Sequence, residues 1–263
     1  MWNSHQGRIK RIVQREFRKQ AEEFSRSQEM REKGGLRILP RLAQVKPTHR
    51  VLDVACGPGF VALEFAKHSR EVVGVDLTGE MIKKARALAR QEKVRNVTFR
   101  CADVNHLPFS PASFDRVITR ASFHHFREPE RALREMVRVL EKKGKILISD
   151  NTSKDDPAKG DNHNLIERLR DPSHVEMLPP KQWRALFKAC GLKVLYRRKL
   201  VQQRNVEDWM RLSRTPTPVK KKIRRLLLRS ISGDRTGQNV RLSNGEIVFD
   251  MNYMIFVLAR TKE

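Results

Sequence analysis

Apolar residues along this chain gather into short continuous runs, separated by segments in which they recur three and four positions apart. The runs at 50–54, 71–76, 97–102, 115–119 and 145–150 are rich in Val, Ile, Leu and Phe, as strands buried on both faces require. Between them, 60–67, 80–91 and 129–140 have helical spacing, the last opening with Pro129 at a favoured first-turn position. Strands alternating with helices over short connections predict an α/β fold with a doubly wound, mostly parallel sheet. Ligands then bind at the carboxyl ends of the strands, where the strand order reverses.

The flanks read differently. Residues 9–44 are helical by pattern, with Ile9, Ile12, Val13, Phe17, Ala21 and Phe24 on one side. Residues 152–164 are polar and read as a loop, and 165–170 as a short helix stopped by Asp171-Pro172. A helix over 180–189 closes at Gly191, and 192–201 is a strand. Residues 202–246 interrupt the sheet before a last strand, 247–259. Inside that interruption, 218–231 is a basic amphipathic helix with Val219, Ile223, Leu226, Leu227 and Ile231 on one face. Either that face caps a substrate cleft, or the helix lies on an anionic membrane surface or a polyanion.

Composition narrows the class. At 263 residues the chain suits one α/β domain with decoration. Cys56, Cys101 and Cys190 are far apart and odd in number, which argues against a disulfide framework and fits a reducing cytoplasm. No metal-ligand spacing occurs, so no metal is expected. The first twenty residues are mostly polar, and no apolar run approaches a membrane span; a soluble, unexported, cytoplasmic protein is expected. The net charge of +25 is concentrated late, with 13 basic residues against Glu207 and Asp208 between 193 and 229. Such a field attracts nucleic acid, an anionic membrane or an anionic substrate, or it is simply a solvated surface.

The chemistry lies at the strand ends. Asp53 ends the first run, Gly57-Pro58-Gly59 opens the following helix, and Asp76 ends the second run. This is a βαβ nucleotide-binding unit, in which Asp76 can accept hydrogen bonds from ribose hydroxyls and the glycines expose bare backbone to a ligand. The stretch from Gly57 to Ala62 fits G-x-G-x-x-A, so a nicotinamide or flavin oxidoreductase is one reading. Pro58, however, removes an N–H where a pyrophosphate wants donors, and Asp53 places a carboxylate beside the same turn. A cation is the better guest there. S-adenosylmethionine carries an ammonium and a sulfonium at that end and no phosphate. Asp103, after the third run, is positioned to accept from an adenine amino group.

Asp53, Asp76 and Asp103 at three successive strand ends resemble the motifs of class I S-adenosylmethionine-dependent methyltransferases. The resemblance continues through Phe114-Asp115-Arg116-Val117-Ile118-Thr119, Phe123-His124-His125-Phe126 and Gly144-Lys145-Ile146-Leu147-Ile148-Ser149-Asp150. It is closest in character to the type 11 group, which includes the ubiquinone and menaquinone C-methyltransferases, and it spans about residues 35–200. Arg168 to Val175 is similar to a segment of a bacterial small-molecule subgroup. The resemblance implies a seven-stranded sheet with its last strand antiparallel at the sheet's end. It implies a helical lid over 1–46, a cofactor core over 47–151, and a substrate-side half over 152–263 with insertions at 152–178 and 202–246. Phe17, Gln20, Phe24 and Ser27 would face inward from the lid. Asp53 and the backbone at Ala55, Gly57 and Gly59 would hold the methionine part, with Asp76 on the ribose. Leu77 and Met81 would flank the adenine, Ala102, Asp103 and Val104 would meet its edge, and Arg120 would lie near the methionine.

The expected reaction is methyl transfer to a small aromatic or conjugated acceptor at O, C or N. His125 and His124 sit where an acceptor would, and imidazole has a suitable pKa to take its proton; both are equally readable as loop-closing residues. His174 is a third candidate, from the cleft rim, with Asp171 as its neighbour. Cys56 reads as a small packed residue. Three alternatives stay open: an RNA methyltransferase using 193–229, a nicotinamide-dependent enzyme, and a protein that binds the cofactor without turnover. Oligomeric state and acceptor identity are not encoded in these motifs.

Overall fold

The computed structural model describes residues 4–27 and 33–261. Helix α1 (Ser4–Arg26) is followed by a 3-10 segment (Lys33–Ile38) and α2 (Leu39–Leu42). The core then runs β1 (Arg50–Val54), α3 (Phe60–Ala66), β2 (Glu71–Asp76), α4 (Gly79–Gln91), β3 (Val97–Cys101), β4 (Phe114–Arg120), α5 (Pro129–Val139) and β5 (Leu140–Asn151). Helices α6 (Pro157–Arg170) and α7 (Pro180–Ala189) lead to β6 (Leu192–Asn205), α8 (Val206–Leu212), α9 (Thr217–Ile231), β7 (Arg241–Ser243) and β8 (Glu246–Arg260).

The sheet order is β3-β2-β1-β4-β5-β8-β6, with short β7 paired to β8 off this path. The expected seven strands therefore form the main path and β7 is an eighth. β1 to β5 are mutually parallel, and β8 is antiparallel to both β5 and β6. The last strand is antiparallel as the resemblance implied, but it lies inside the sheet, with β6 at the edge.

Alternation along the central strands explains their continuous apolar runs. Leu52, Val117 and Ile146 pack on one face with Leu133, Met136 and Trp183. Their neighbours Val51, Ile118 and Leu147 pack on the other with Phe65, Ile82 and Ala85. Both faces are covered, so successive positions on either side of the central strands are apolar.

Several boundaries differ from expectation: β5 begins at Leu140 rather than 145, and the helical stretch expected over 9–44 holds α1, a 3-10 segment and α2. The polar stretch read as a loop is half helix, because α6 begins at Pro157, with the Asp156 side chain accepting from the Lys159 N–H. Its buried side includes Gly160, His163, Asn164 and Glu167, so no apolar periodicity marks it. β6 also continues to Asn205, where the side chain caps α8. The pairing of β5 with β8 ends at Asn151 and Tyr253, while β6 and β8 stay paired to Asn205 and Val248. The β6–β8 ribbon thus projects past the carboxyl ends of the parallel strands. A third apolar cluster, with Trp209, Met210, Ile223, Leu227, Phe249 and Met251, packs onto that projection. It holds α6, α8 and α9 beside the strand ends, where the site lies. No helix among the described residues is long and apolar enough to cross a membrane.

Candidate active site

The turn after β1 makes the floor of the site. Gly57 has φ +52° with open space where a Cβ would sit, and Ala55 shares the left-handed region at φ +56°. Gly59, at φ +91°, is the residue before α3; a Cβ there would press on Phe99 and Ala85. Its N–H donates to the Cys56 carbonyl (3.0 Å). Gly59 is not among the residues lining the cavity; in this structure it closes the turn and lets helix meet sheet. Cys56 is buried under the turn, as expected of a packed residue.

A cavity of about 1330 Å³, open to solvent, runs from this turn along the strand ends. The other residues expected at the cofactor, Asp53, Ala55, Gly57, Asp76, Leu77, Met81, Ala102, Asp103, Val104 and Arg120, all line it. The Asp76 Oδ2 accepts the Gly57 N–H (2.9 Å) and its Oδ1 the Thr78 N–H (2.8 Å). Burial nevertheless pushes this carboxyl up from its ordinary value. Asp53 is 1% exposed and its Oδ2 has no hydrogen-bond partner. Burial above all, with Asp76 adding repulsion, pushes it to about 8. A buried carboxyl with one unpartnered oxygen, on a residue that lines a cavity, is a strong demand for a cationic or donor ligand. Asp103 goes the other way: burial raises it, but Lys10 at 2.5 Å and the Asn105 N–H outweigh that and hold it below its ordinary value.

Helix α1 forms a wall over this cavity. Lys10 pairs with Asp103, Gln14 Nε2 donates to the Leu77 carbonyl (3.1 Å) and Gln20 Nε2 to Asp171 Oδ2 (3.2 Å). Phe17 meets the His125 ring edge-on at 4.9 Å. Phe17 and Phe24 are inward members as expected; the Ile9 side chain lies outside the described ones.

A second cavity of about 770 Å³ adjoins the first, sharing Phe17, Phe24, Arg120, Ala121 and His125 with it. Its far wall is the β6–β8 ribbon and the cap: Glu167, Arg170, Arg204, Trp209, Met251 and Tyr253. The basic helix α9 contributes nothing to this lining. It packs Ile223 and Leu227 behind α6 and β8, so the expected cover over the cleft is a support behind it, while α8 supplies the wall.

The three histidines cluster but differ in role. His124 is buried, and its Nδ1 lies 2.5 Å from Asp150 Oδ1. Burial lowers its pKa, but the Asp150 charge and hydrogen bond override this and raise it. Asp150 also accepts the N–H groups of Ser122, Phe123 and Asn151 at 2.7 Å each. His124 is the structural closure of its loop and borders only the second cavity. His125 borders both cavities. Its Nδ1 is 3.1 Å from the Ser173 carbonyl, an acceptor only, so that nitrogen carries the proton and Nε2 keeps a lone pair. Ser173 Oγ, also 3.1 Å from Nδ1, donates to Asp171 Oδ1 (2.6 Å). Burial and neighbouring His124 lower His125 to about 4. His174 lines neither cavity: its Nε2 contacts Asn164 Oδ1 (2.8 Å), and burial lowers it to about 2. The rim assignment of His174 is therefore corrected. Asp171 orients His125, through Ser173, rather than the His174 ring.

Asp150, Ser173, Arg204 and Tyr253 were not singled out from sequence. Asp150 could have been, since it repeats the pattern of an acid ending an apolar run. Arg204 and Tyr253 carry no such signal; they meet only across the ribbon.

The methyltransferase-domain family matches residues 52–148. The uncharacterized methyltransferase YcgJ of Bacillus subtilis is 34% identical over 207 residues, covering 79% of this chain and 82% of that protein. Its crystal structure superposes with a TM-score of 0.81 at 30% identity, over 87% of this chain and 98% of that one. A putative methyltransferase of Bacillus halodurans matches with a TM-score of 0.82 at 26% identity, over 87% and 99% of the two chains. A demethylmenaquinone methyltransferase of Porphyromonas gingivalis is 36% identical over 112 residues, covering 41% of this chain and 46% of that protein.

Proposed function

The chain belongs to the class I S-adenosylmethionine-dependent methyltransferase family, and on that premise we propose that it methylates a small acceptor seated in the second cavity, with His125 Nε2 receiving the acceptor's proton. The observation that carries this reading is the meeting of the two cavities at Arg120 and His125. One cavity carries the acids Asp53, Asp76 and Asp103, acceptors suited to an adenosine cofactor; the other is walled by aromatic and polar side chains.

The residues of the first cavity fit S-adenosylmethionine. Asp53, with its unpartnered oxygen, would take the ammonium end, and Gly57 leaves open space above the turn. Asp76 keeps acceptor capacity on both oxygens for ribose hydroxyls, while Leu77 and Met81 offer apolar faces to a base. When bound, the cofactor supplies an electrophilic methyl carbon whose bond to sulfur breaks as the acceptor's nucleophile attacks in line. The protein's own contribution is alignment, exclusion of water and removal of a proton. His125 is neutral at pH 7 and has Nδ1 anchored, so Nε2 is the basic atom at the junction. Phe17 and Phe24 from α1 exclude water from both sides of that junction.

A small acceptor is favoured over RNA because the second cavity is lined by apolar and aromatic side chains such as Phe17, Phe24, Trp209 and Met251, while Lys221, Lys222 and Arg225 of α9 are exposed away from its lining. Calorimetry tests the cofactor assignment: micromolar S-adenosylhomocysteine binding is expected, and NAD binding without it would overturn the reading. Asp76→Ala should weaken that binding severely.

A further inference from the structure

Lys10, Gln14, Phe17, Gln20 and Phe24 recur three and four positions apart along α1, so they share one face of the helix. That face lies against the strand ends: Lys10 pairs with Asp103, Gln14 reaches the Leu77 carbonyl and Phe17 meets the His125 ring. Gln20 is the most deeply set of its polar members. It is 1% exposed, and its Nε2 donates to Asp171 Oδ2, 151 residues along the chain. Gln20 is not among the residues lining either cavity, so it is no contact for cofactor or acceptor. Its Oε1 is buried without a hydrogen-bond partner, a cost that an apolar side chain of the same size would not carry. The donor end of the amide is what the position requires.

Asp171 uses both carboxylate oxygens. Oδ2 takes the Gln20 hydrogen bond, while Oδ1 accepts the Ser173 N–H (2.9 Å) and the Ser173 hydroxyl (2.6 Å). Adjacent Arg170 gives its hydrogen bond to Glu167 Oε2 (3.0 Å) and lies 4.7 Å over the Trp209 ring. Among the described residues, Gln20 is therefore the side chain from outside the 171–173 turn that hydrogen-bonds Asp171. The turn in turn sets the histidine. The Ser173 carbonyl stands 3.1 Å from His125 Nδ1, and the Ser173 hydroxyl is equally close. Because that hydroxyl donates to Asp171, it offers His125 a lone pair, and both Ser173 oxygens favour a proton on Nδ1.

Resting on the reading of His125 as the proton acceptor, we propose that Gln20 is a positioning residue: by holding Asp171 Oδ2 it fixes the turn through Ser173, and thereby the Nδ1–H tautomer that leaves a lone pair on His125 Nε2. Helix α1 then does more than exclude water. Seated on the strand ends, it completes the base, with Phe17 against the edge of the ring and Gln20 behind the carboxylate that sets its tautomer.

The test follows His125 by nitrogen-15 NMR in the full chain saturated with S-adenosylhomocysteine, its signals assigned by their loss in His125→Gln. The wild type should show the proton on Nδ1 and an unprotonated Nε2 at neutral pH. Gln20→Met keeps the length of the side chain and removes the donor. One hydrogen bond to a buried charge is worth about tenfold or more in an equilibrium, so the variant should populate the Nε2–H tautomer and exchange its Nδ1 proton with water about tenfold faster. Its S-adenosylhomocysteine affinity should stay within about threefold of wild type, which also reports folding; Gln20→Ala serves the same purpose if the methionine does not pack. Gln14→Met removes a different hydrogen bond of α1 and should leave the His125 signals as they are in wild type. Unchanged His125 signals in a folded Gln20 variant, or an equal change in Gln14→Met, would each overturn the proposal. Full turnover by His125→Gln would instead overturn the proton-acceptor reading on which it rests.

Discussion

Asp53 makes the cofactor affinity depend on pH in a direction and size that can be worked out. In the free protein its carboxyl is held near 8 by burial and by Asp76, so at pH 6 about 1% of molecules carry the charge there, and at pH 7.5 about 24%. If the ammonium-bearing ligand binds the ionised form, its apparent dissociation constant is the intrinsic one divided by that fraction. Affinity for S-adenosylhomocysteine should therefore rise about 25-fold, or roughly 1.9 kcal/mol, from pH 6 to 7.5. The ligand's own amino group stays largely charged across this window. Binding at pH 6 should release close to one proton, read by titration calorimetry in two buffers of different ionisation heat. Asp76 is also raised by burial and adds to the slope. Asp53→Asn resembles the protonated residue; its affinity should lie below the wild-type value even at pH 6 and keep only the shallower pH dependence that Asp76 adds. An affinity constant within threefold across the window, with no buffer-dependent heat, would refute the reasoning.

Other expectations follow from named contacts. His125→Gln should lower kcat by about 10²–10⁴-fold with S-adenosylhomocysteine affinity within threefold of wild type; kcat should fall only as pH drops toward 4, where His125 gains its proton, and an unchanged kcat in the variant would remove it from proton transfer. Asp150→Ala leaves three buried backbone N–H groups and His124 without their acceptor, and should cost roughly 3–5 kcal/mol in chemical denaturation; a loss under 1 kcal/mol would contradict the closure role. Glu167→Ala strands the Arg170 charge and should cost a similar ~3–5 kcal/mol. Because the folded pKa of Glu167 is depressed from 4.5, its contribution is complete above that value and is lost as pH falls below it. The variant should therefore show a weaker acid destabilisation than wild type between pH 5 and 3.

The order of strands and helices, and the three acids of the cofactor cavity, were legible in the sequence because they obey local rules. Strands buried on both faces must be apolar throughout, the turn into α3 needs residues that reach positive φ, and a ligand at the strand ends meets whatever follows each apolar run. Asp53, Asp76 and Asp103 each sit at such a point. The start of α6 was hidden because its buried side is polar, so burial left no periodic trace in the hydropathy of 152–164. Gly59 was read as a ligand contact, and the structure adds that its conformation serves the approach of α3 to Phe99.

Side-chain roles at the reaction end needed the tertiary structure. Adjacent His124 and His125 are chemically identical in sequence, yet Asp150 takes the first as a fixed loop closure, while the second contacts Ser173 and stays a neutral imidazole bordering both cavities. His174 stands next to Ser173 and is nonetheless directed at Asn164, away from both cavities. The second cavity itself is built from α1, α6, α8 and the projecting β6–β8 ribbon, elements more than two hundred residues apart at the extremes. A sequence determines its nearest contacts through backbone geometry and local pattern. The meeting of Arg204 with Tyr253, or of Asp171 with Gln20, depends on strand register and helix packing, which only the folded chain decides.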